Sequence, residues 1–223
     1  MLKPRYYFSD DFRQFQDYFF SQPHTEKTFK KGDLIWPPGK PYEKLHYILS
    51  GVEMHYAVHE SGHRKIISFH GPCTVFPGYR QNDYKIELSL ITEAISDMHM
   101  LEFTLPQFRE MLHKNTELSE QVINWYSMYI NLFLFETIHQ EFNTSLVKLS
   151  NLLYILTANR PADSGPVIEM TQEELADILG LSRVQITREL SELRRNGIVS
   201  TTRGRLTVTD LAALTRLCTS ETV

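Results

Sequence analysis

Cysteine is nearly missing from this chain: Cys73 and Cys218 are the two among 223 residues. Two thiols cannot build a disulfide framework, a four-cysteine iron–sulfur site or a CxxCH haem attachment, and they fit a reducing compartment. Long apolar runs are missing as well. The longest are of the kind Leu132 to Phe135, and Met1 to Asp11 has no apolar stretch leading to a small-residue cleavage site. A cytoplasmic protein with no membrane partner is therefore expected. Glycine and proline number ten each, and 42% hydrophobic with 22% charged residues is an ordinary globular balance, which excludes collagen-like, low-complexity and largely disordered classes. No His-x-His pair, Gly-x-Ser-x-Gly elbow or phosphate-binding glycine-rich loop occurs. That argues against a metal-dependent, cupin-like barrel enzyme, so no catalytic residues, cofactor or metal are expected.

Acidic residues outnumber basic ones by 27 to 23, yet the charge is uneven. From Ser182 to Arg205 six arginines (183, 188, 194, 195, 203 and 205) face only Glu189 and Glu192, a local excess of four positive charges. A segment of this kind is where a phosphate backbone would be met.

The length suits two domains, and the pattern changes along the chain. Between Phe29 and Phe103, short alternating stretches such as Leu45-His46-Tyr47-Ile48-Leu49 are broken by Lys31-Gly32-Asp33, Pro37-Pro38-Gly39, Ser50-Gly51, Glu60-Ser61-Gly62 and His70-Gly71-Pro72. Turn signals at that spacing predict an antiparallel, jelly-roll-like β-barrel. His55, His59 and His63 lie i, i+4, i+8 around the Ser61-Gly62 turn, where a hairpin would separate them rather than gather them on a metal.

Helical signals follow. Thr104 with Gln107 makes a capping box, and Thr116 is placed to cap a segment reaching about Asn143 without internal glycine or proline. Leu118, Val122, Trp125, Tyr129 and Leu132 form one apolar stripe; Ile123, Tyr126, Ile130, Phe133 and Ile138 approximate another. Two stripes call for two partners, the barrel and a second copy of the helix, and the dimer contact is assigned to the first stripe. The alternative is a helix buried wholly within one chain.

A further helix through Leu149 to Thr157, a loop from Arg160 to Pro166 and a compact unit from Thr171 to Val208 complete the chain. In that unit Thr171 with Glu174 and Ser182 with Gln185 are capping boxes starting two helices, with Gly180 between them. Leu175, Ala176 and Leu179 face inward on the first, and Ile186, Leu190 and Leu193 on the second. Asn196-Gly197 ends the second helix, and Ile198 to Val208, with Arg203-Gly204 in its middle, reads as a two-stranded wing. This is a winged helix-turn-helix pattern. The outer side of the second helix carries Val184, Thr187, Arg188, Ser191 and Arg195, flanked by Arg183 and Arg194. Such a face suits the major groove, where arginine bonds bidentately to guanine. The expected DNA-binding residues are Thr171, Gln172, Ser182, Arg183, Val184, Gln185, Thr187, Arg188, Arg203 and Arg205.

With these residues in place the sequence resembles the CRP/FNR family of bacterial transcription regulators over nearly its whole length. Phe29-Lys30-Lys31-Gly32-Asp33, Gly39, Leu45 to Gly51, Ser61-Gly62 and Gly71 are similar to its cyclic-nucleotide-binding-type barrel. Thr171 to Ala176 and Leu181-Ser182-Arg183 with Thr187-Arg188 are similar to its helix-turn-helix. The resemblance implies an α+β chain in three parts: an effector-sensing barrel with flanking helices (1-115), a dimerisation helix (116-143) and a winged helix-turn-helix (144-223). It further implies a homodimer on a palindromic operator in double-stranded DNA, RNA polymerase as a partner and a small-molecule effector.

The departures narrow that effector. Cyclic-AMP-binding members carry Gly-Glu and Arg-Ser/Thr pairs. Here Gly71 to Gly78 has no acid, and Leu88 falls where the arginine would stand. A leucine offers a cyclic phosphate neither charge nor donors, so cyclic AMP is excluded as the expected effector. The aromatic-rich central helix and Val184, at a position where many relatives have glutamate, are closer to members sensing small aromatics such as halogenated phenols. Candidate effector contacts are Phe76, Tyr79, Arg80, Leu88, Trp125, Tyr126 and Tyr129, which plain core packing would equally explain. A ligand-independent regulator with a vestigial barrel is the alternative.

Overall fold

The computed structural model describes residues 2–82, 84–158, 167–202 and 205–223. They form two compact units: Tyr7–Tyr129 is one, and the residues through Tyr6 join Ile130–Val223 in the other. Among the described residues no helix is long and apolar enough to cross a membrane.

In the first unit the alternating stretches become strands β1 (Tyr7–Phe8), β2 (Thr25–Phe29), β3 (Leu34–Trp36), β4 (Lys44–Ser50), β5 (Glu53–Val58), β6 (Arg64–His70), β7 (Val75–Phe76), β8 (Leu90–Ala94) and β9 (Met98–Thr104), with helix α1 (Gln16–Ser21) after β1. The expected barrel is resolved as two sheets, ordered β1-β6-β5-β8-β3 and β2-β9-β4-β7. Nor is it wholly antiparallel, since β1 runs parallel to β6. Alternation of period two assigns a strand's apolar face but leaves open whether the sheet closes on itself. The sheets meet through aromatic rings: Phe76 of β7 lies 3.9 Å from the His70 ring of β6, and Trp36 of β3 lies 4.4 Å from His46 of β4. Phe19 of α1 stacks on Tyr47 at 4.3 Å.

The hairpin between β5 and β6 separates the three histidines as expected. His55 is buried, with Nδ1 3.1 Å from the Thr92 hydroxyl, while His59 and His63 share Ser61 at the exposed tip. No group of three metal-binding side chains occurs among the described residues.

Helix α2 (Leu105–Lys114) starts at the predicted Thr104–Gln107 capping box. Helix α3 (Thr116–Phe142) begins one residue earlier than expected: Asn115, not Thr116, is the cap, its Oδ1 accepting from the Leu118 amide at 3.0 Å. The dimer assignment along α3 is also corrected. Leu118, Val122, Trp125, Tyr129 and Leu132 are all buried within a single chain. Solvent instead meets Ile123, Ile130, Phe133, Leu134, Ile138 and Phe142, with Phe142 78% exposed. Spacing finds apolar stripes, but which one the chain itself covers depends on how the helix is rotated against its neighbours.

The second unit contains α4 (Ser145–Ala158), β10 (Val167–Ile168), α5 (Gln172–Leu179), α6 (Arg183–Arg195), β11 (Val199–Thr202), β12 (Arg205–Val208) and α7 (Leu211–Thr215). The wing strands pair antiparallel as predicted, and β10 adds a third strand against β12 that the sequence pattern does not signal. Of the loop Arg160 to Pro166 and of Arg203-Gly204, nothing lies within the described residues.

Candidate nucleic-acid interface

Two reciprocal caps fix where α5 and α6 begin. The Thr171 hydroxyl accepts from the Glu174 amide at 3.1 Å while Glu174 Oε2 accepts from the Thr171 amide at 2.7 Å. Ser182 and Gln185 repeat the arrangement at 3.2 and 2.9 Å. Between the helices Gly180 turns the chain at φ +61°, a left-handed conformation that costs a side-chain-bearing residue energy. The inward sides are closed as predicted, with Leu175, Ala176 and Leu179 buried on α5 and Ile186, Leu190 and Leu193 on α6.

With that face committed to the core, the opposite face of α6 is left to solvent. Arg183, Val184, Thr187 and Arg188 are exposed there, Val184 by 78%. Thr187 is braced from α5, its hydroxyl donating towards Gln172 Oε1 at 2.7 Å. Arg194 reaches the wing, Nη1 donating to the Thr201 hydroxyl at 3.0 Å. Thr171, Gln172, Arg183 and Arg205 line one hollow of about 370 Å³ between α5, α6 and the wing, in which Met170, Leu175, Leu190 and Leu206 form the apolar part. Arg205 is paired with Glu169 at 3.1 Å. Of the ten sequence-predicted residues, Arg203 lies outside those described; Thr171 and Ser182 serve first as caps.

A model of the Crp-like helix-turn-helix domain matches residues 147–217, the stretch that carries this geometry. Along most of the chain the sequence is 26% identical to the global nitrogen regulator of Synechocystis sp. (strain PCC 6803), over 87% of this chain and 88% of that protein. Among solved structures, FixK2 from Bradyrhizobium japonicum superposes with TM-score 0.74 at 20% identity over 89% of this chain and 98% of that one. CprK complexed with OCPA superposes with TM-score 0.72 at 15% identity over 96% and 98%. Residues 147–217 thus match a Crp-like helix-turn-helix domain, and the chain as a whole is similar to transcription regulators of the CRP/FNR type. At those identities the two structures establish the fold alone.

The interior of the strand unit is mostly aromatic and aliphatic, with a small set of buried polar side chains that includes Glu53, His55, Ser68, His70 and Glu87. Phe76, Trp125 and Tyr129 are buried there as anticipated, and Tyr126 gives its hydroxyl to the Tyr79 carbonyl. Leu88 is corrected: it stands 44% exposed on the turn Lys85–Ser89, and its buried neighbour is Glu87. Glu87 takes Arg80 at 2.5 Å, so the cation anticipated for an effector is already neutralised, with Arg80 also 5.1 Å above the Tyr42 ring.

Sequence reasoning missed the buried group around Glu53, which is fully buried and has neither carboxyl oxygen hydrogen-bonded among the described residues. His70 Nδ1 is 3.3 Å from it, and the other ring nitrogen of His70 meets the Tyr129 hydroxyl, which is 2.8 Å from Ser68 Oγ. Burial pushes the Glu53 carboxyl well above the usual carboxylate range and the His70 imidazole well below 6.5, so each is shifted toward its neutral form. The available signal was parity, since Glu53 and His55 alternate along β5 as Ser68 and His70 do along β6.

Proposed function

We propose that this protein is a cytoplasmic, homodimeric regulator that reads a palindromic operator through α6 and whose strand unit responds to a small molecule other than cyclic AMP. In this reading residues 1-115 sense, 116-143 dimerise and 144-223 bind DNA, with RNA polymerase as the further partner. The observation that carries it is α6 itself: one face closed by Ile186, Leu190 and Leu193, the other presenting Arg183, Val184, Thr187 and Arg188 beyond a capped N-terminus. Arg183, Arg188 and Arg205, with Arg203 from the wing, supply the positive charge, while Thr171, Gln172, Ser182 and Gln185 set helix ends against the backbone. Two-fold protein symmetry imposes a two-fold operator, with half-site centres about 10 base pairs apart or a multiple of that.

Dimerisation through α3 is supported by its exposed apolar side, where Ile123, Ile130, Phe133, Leu134, Ile138 and Phe142 stand along one helix. Effector sensing rests on the few polar side chains inside the strand unit, Glu53, Ser68 and His70 among them. With Arg80 held by Glu87 and the His70 imidazole shifted toward its neutral form by burial, these groups offer a phosphate or carboxylate no uncompensated cation. A specific observation favours the ligand-independent alternative: a side-chain carbon at Gly78 would collide with Tyr126 and come within 2.8 Å of Trp125, so α3 aromatics already fill that end. Selection of binding sites from random DNA, with and without a panel of phenols, aromatic acids and nucleotides, tests both readings. A palindromic consensus is expected, and a non-repeated one would overturn the dimeric docking. Affinity unmoved by every compound would favour the vestigial interior.

A further inference from the structure

We infer that Glu189 is a positioning residue for DNA reading: from within the protein it grips the inner edge of Arg188 and aims that guanidinium at the base edges. The inference rests on the reading that α6 faces the major groove. Glu189 is 4% exposed, on the side of α6 turned toward α4, although it neighbours the outward-facing Arg188. A single carboxyl oxygen, Oε1, gathers three donors: Ser145 Oγ at 2.6 Å, Arg188 Nη2 at 2.6 Å and Arg188 Nε at 3.1 Å. Arg188 Nη2 also lies 3.4 Å from Ser145 Oγ. These contacts hold Glu189 ionised, its carboxyl lying below the usual range through the Ser145 and Arg188 hydrogen bonds despite the opposing effect of burial.

A carboxylate buried in this way is costly unless its partners are retained, so the structure resists any movement of Arg188 that strips the pair. The side chain of Arg188 is nevertheless 69% exposed. Its Nε and Nη2 edge is turned inward onto Glu189, and the remaining Nη1 side is left for an outside acceptor. An arginine held along one edge has fewer rotamers to lose on binding and presents its free donors in one direction, which favours a base over a diffuse phosphate. The negative charge behind it also weakens purely electrostatic attraction to any DNA sequence. Arg183, at the start of the same helix, has no ion pair among the described residues and so lacks this aim. Ser145, as the first residue of α4, sets where the carboxylate stands.

The test measures affinity for the selected operator and for unrelated DNA of equal length, using the full chain, for wild type, Glu189→Gln, Ser145→Ala, Arg188→Ala and Glu189→Gln/Arg188→Ala. Glutamine keeps the volume and an acceptor for Ser145 but loses the charge that holds the guanidinium. Glu189→Gln should lower the operator-to-unrelated ratio about tenfold while unrelated DNA binds as well as or better than before. Ser145→Ala should lower the ratio less, and the double variant no further than Arg188→Ala alone. A merely structural Glu189 would lower both affinities together, and that result overturns the inference. An unchanged ratio in Glu189→Gln with a reduced one in Arg188→Ala also overturns it but leaves the α6 docking intact. An unchanged ratio in Arg188→Ala removes the base-reading role itself. Should Glu189→Gln fail to fold, the Ser145→Ala ratio decides: a fall supports the inference and no change overturns it.

Discussion

Gln140 donates from Nε2 to the carbonyl of Leu179 at 2.9 Å, joining the last turns of α3 to the end of α5. Lys148 of α4 completes the junction, its Nζ 3.0 Å from the Gln140 carbonyl and 3.2 Å from Gln140 Oε1. A carbonyl at a helix C-terminus has no partner in its own helix, so this side chain supplies one that would otherwise be water. Gln140→Ala should cost about 0.5–1.5 kcal/mol of stability, the range of one partly buried hydrogen bond. Urea unfolding at fixed pH checks it, and an unchanged midpoint would show that water replaces the contact without loss.

The two sides of α3 should respond in opposite ways to substitution. Phe133→Glu, on the exposed side, should leave a folded chain that sediments as a monomer at micromolar concentration. Leu132→Ala, one residue away and 1% exposed, should instead lower stability by roughly 2–5 kcal/mol, the cost of a buried leucine truncated to alanine. A dimer that survives Phe133→Glu would place the subunit contact elsewhere.

Acid should weaken the strand unit through His55. Burial lowers its pKa from 6.5 to about 4. Such a depressed base contributes stability that is fully present above its unfolded pKa and is lost as pH falls through its folded one, here between 6.5 and about 4. The full contribution is roughly 3 kcal/mol, and His70, shifted in the same direction, adds to the acid limb. His55→Gln should flatten the fall in unfolding free energy across that window. Glu53 acts with the opposite sign: its raised pKa makes it most stabilising at low pH, with the contribution lost as pH rises, so Glu53→Gln should flatten the alkaline limb.

Val184 should specify an A·T pair. An isopropyl group 78% exposed on the outer face of α6 can contact a thymine methyl, whereas it cannot accept from cytosine N4. Val184→Glu is expected to move preference toward C·G at one symmetric position of each half-site, by about 1–3 kcal/mol. Identical consensus sequences for the two proteins would mean that α6 is rotated away from the docking described.

Local chemistry was legible along the chain because it acts over a few residues. Three capping boxes, the turn at Gly180 and the inward faces of α5 and α6 stand where Thr104, Thr171, Ser182 and the apolar spacing place them. The winged helix-turn-helix could therefore be read from the sequence, and so could the exposure of Val184. Everything that depended on which surface meets which was decided only by the tertiary structure. Periodicity showed two apolar stripes on α3, but packing chose the one that begins at Leu118 for burial and left Ile123 and Phe133 outside. Neutralisation of Arg80 by Glu87, the burial of Glu53 beside His70 and the grip of Glu189 on Arg188 needed the fold as well. The physical reason is range: a cap or a helical face is set by neighbours three or four residues away, whereas Ser145 and Glu189 stand 44 positions apart and become partners only when α4 and α6 pack.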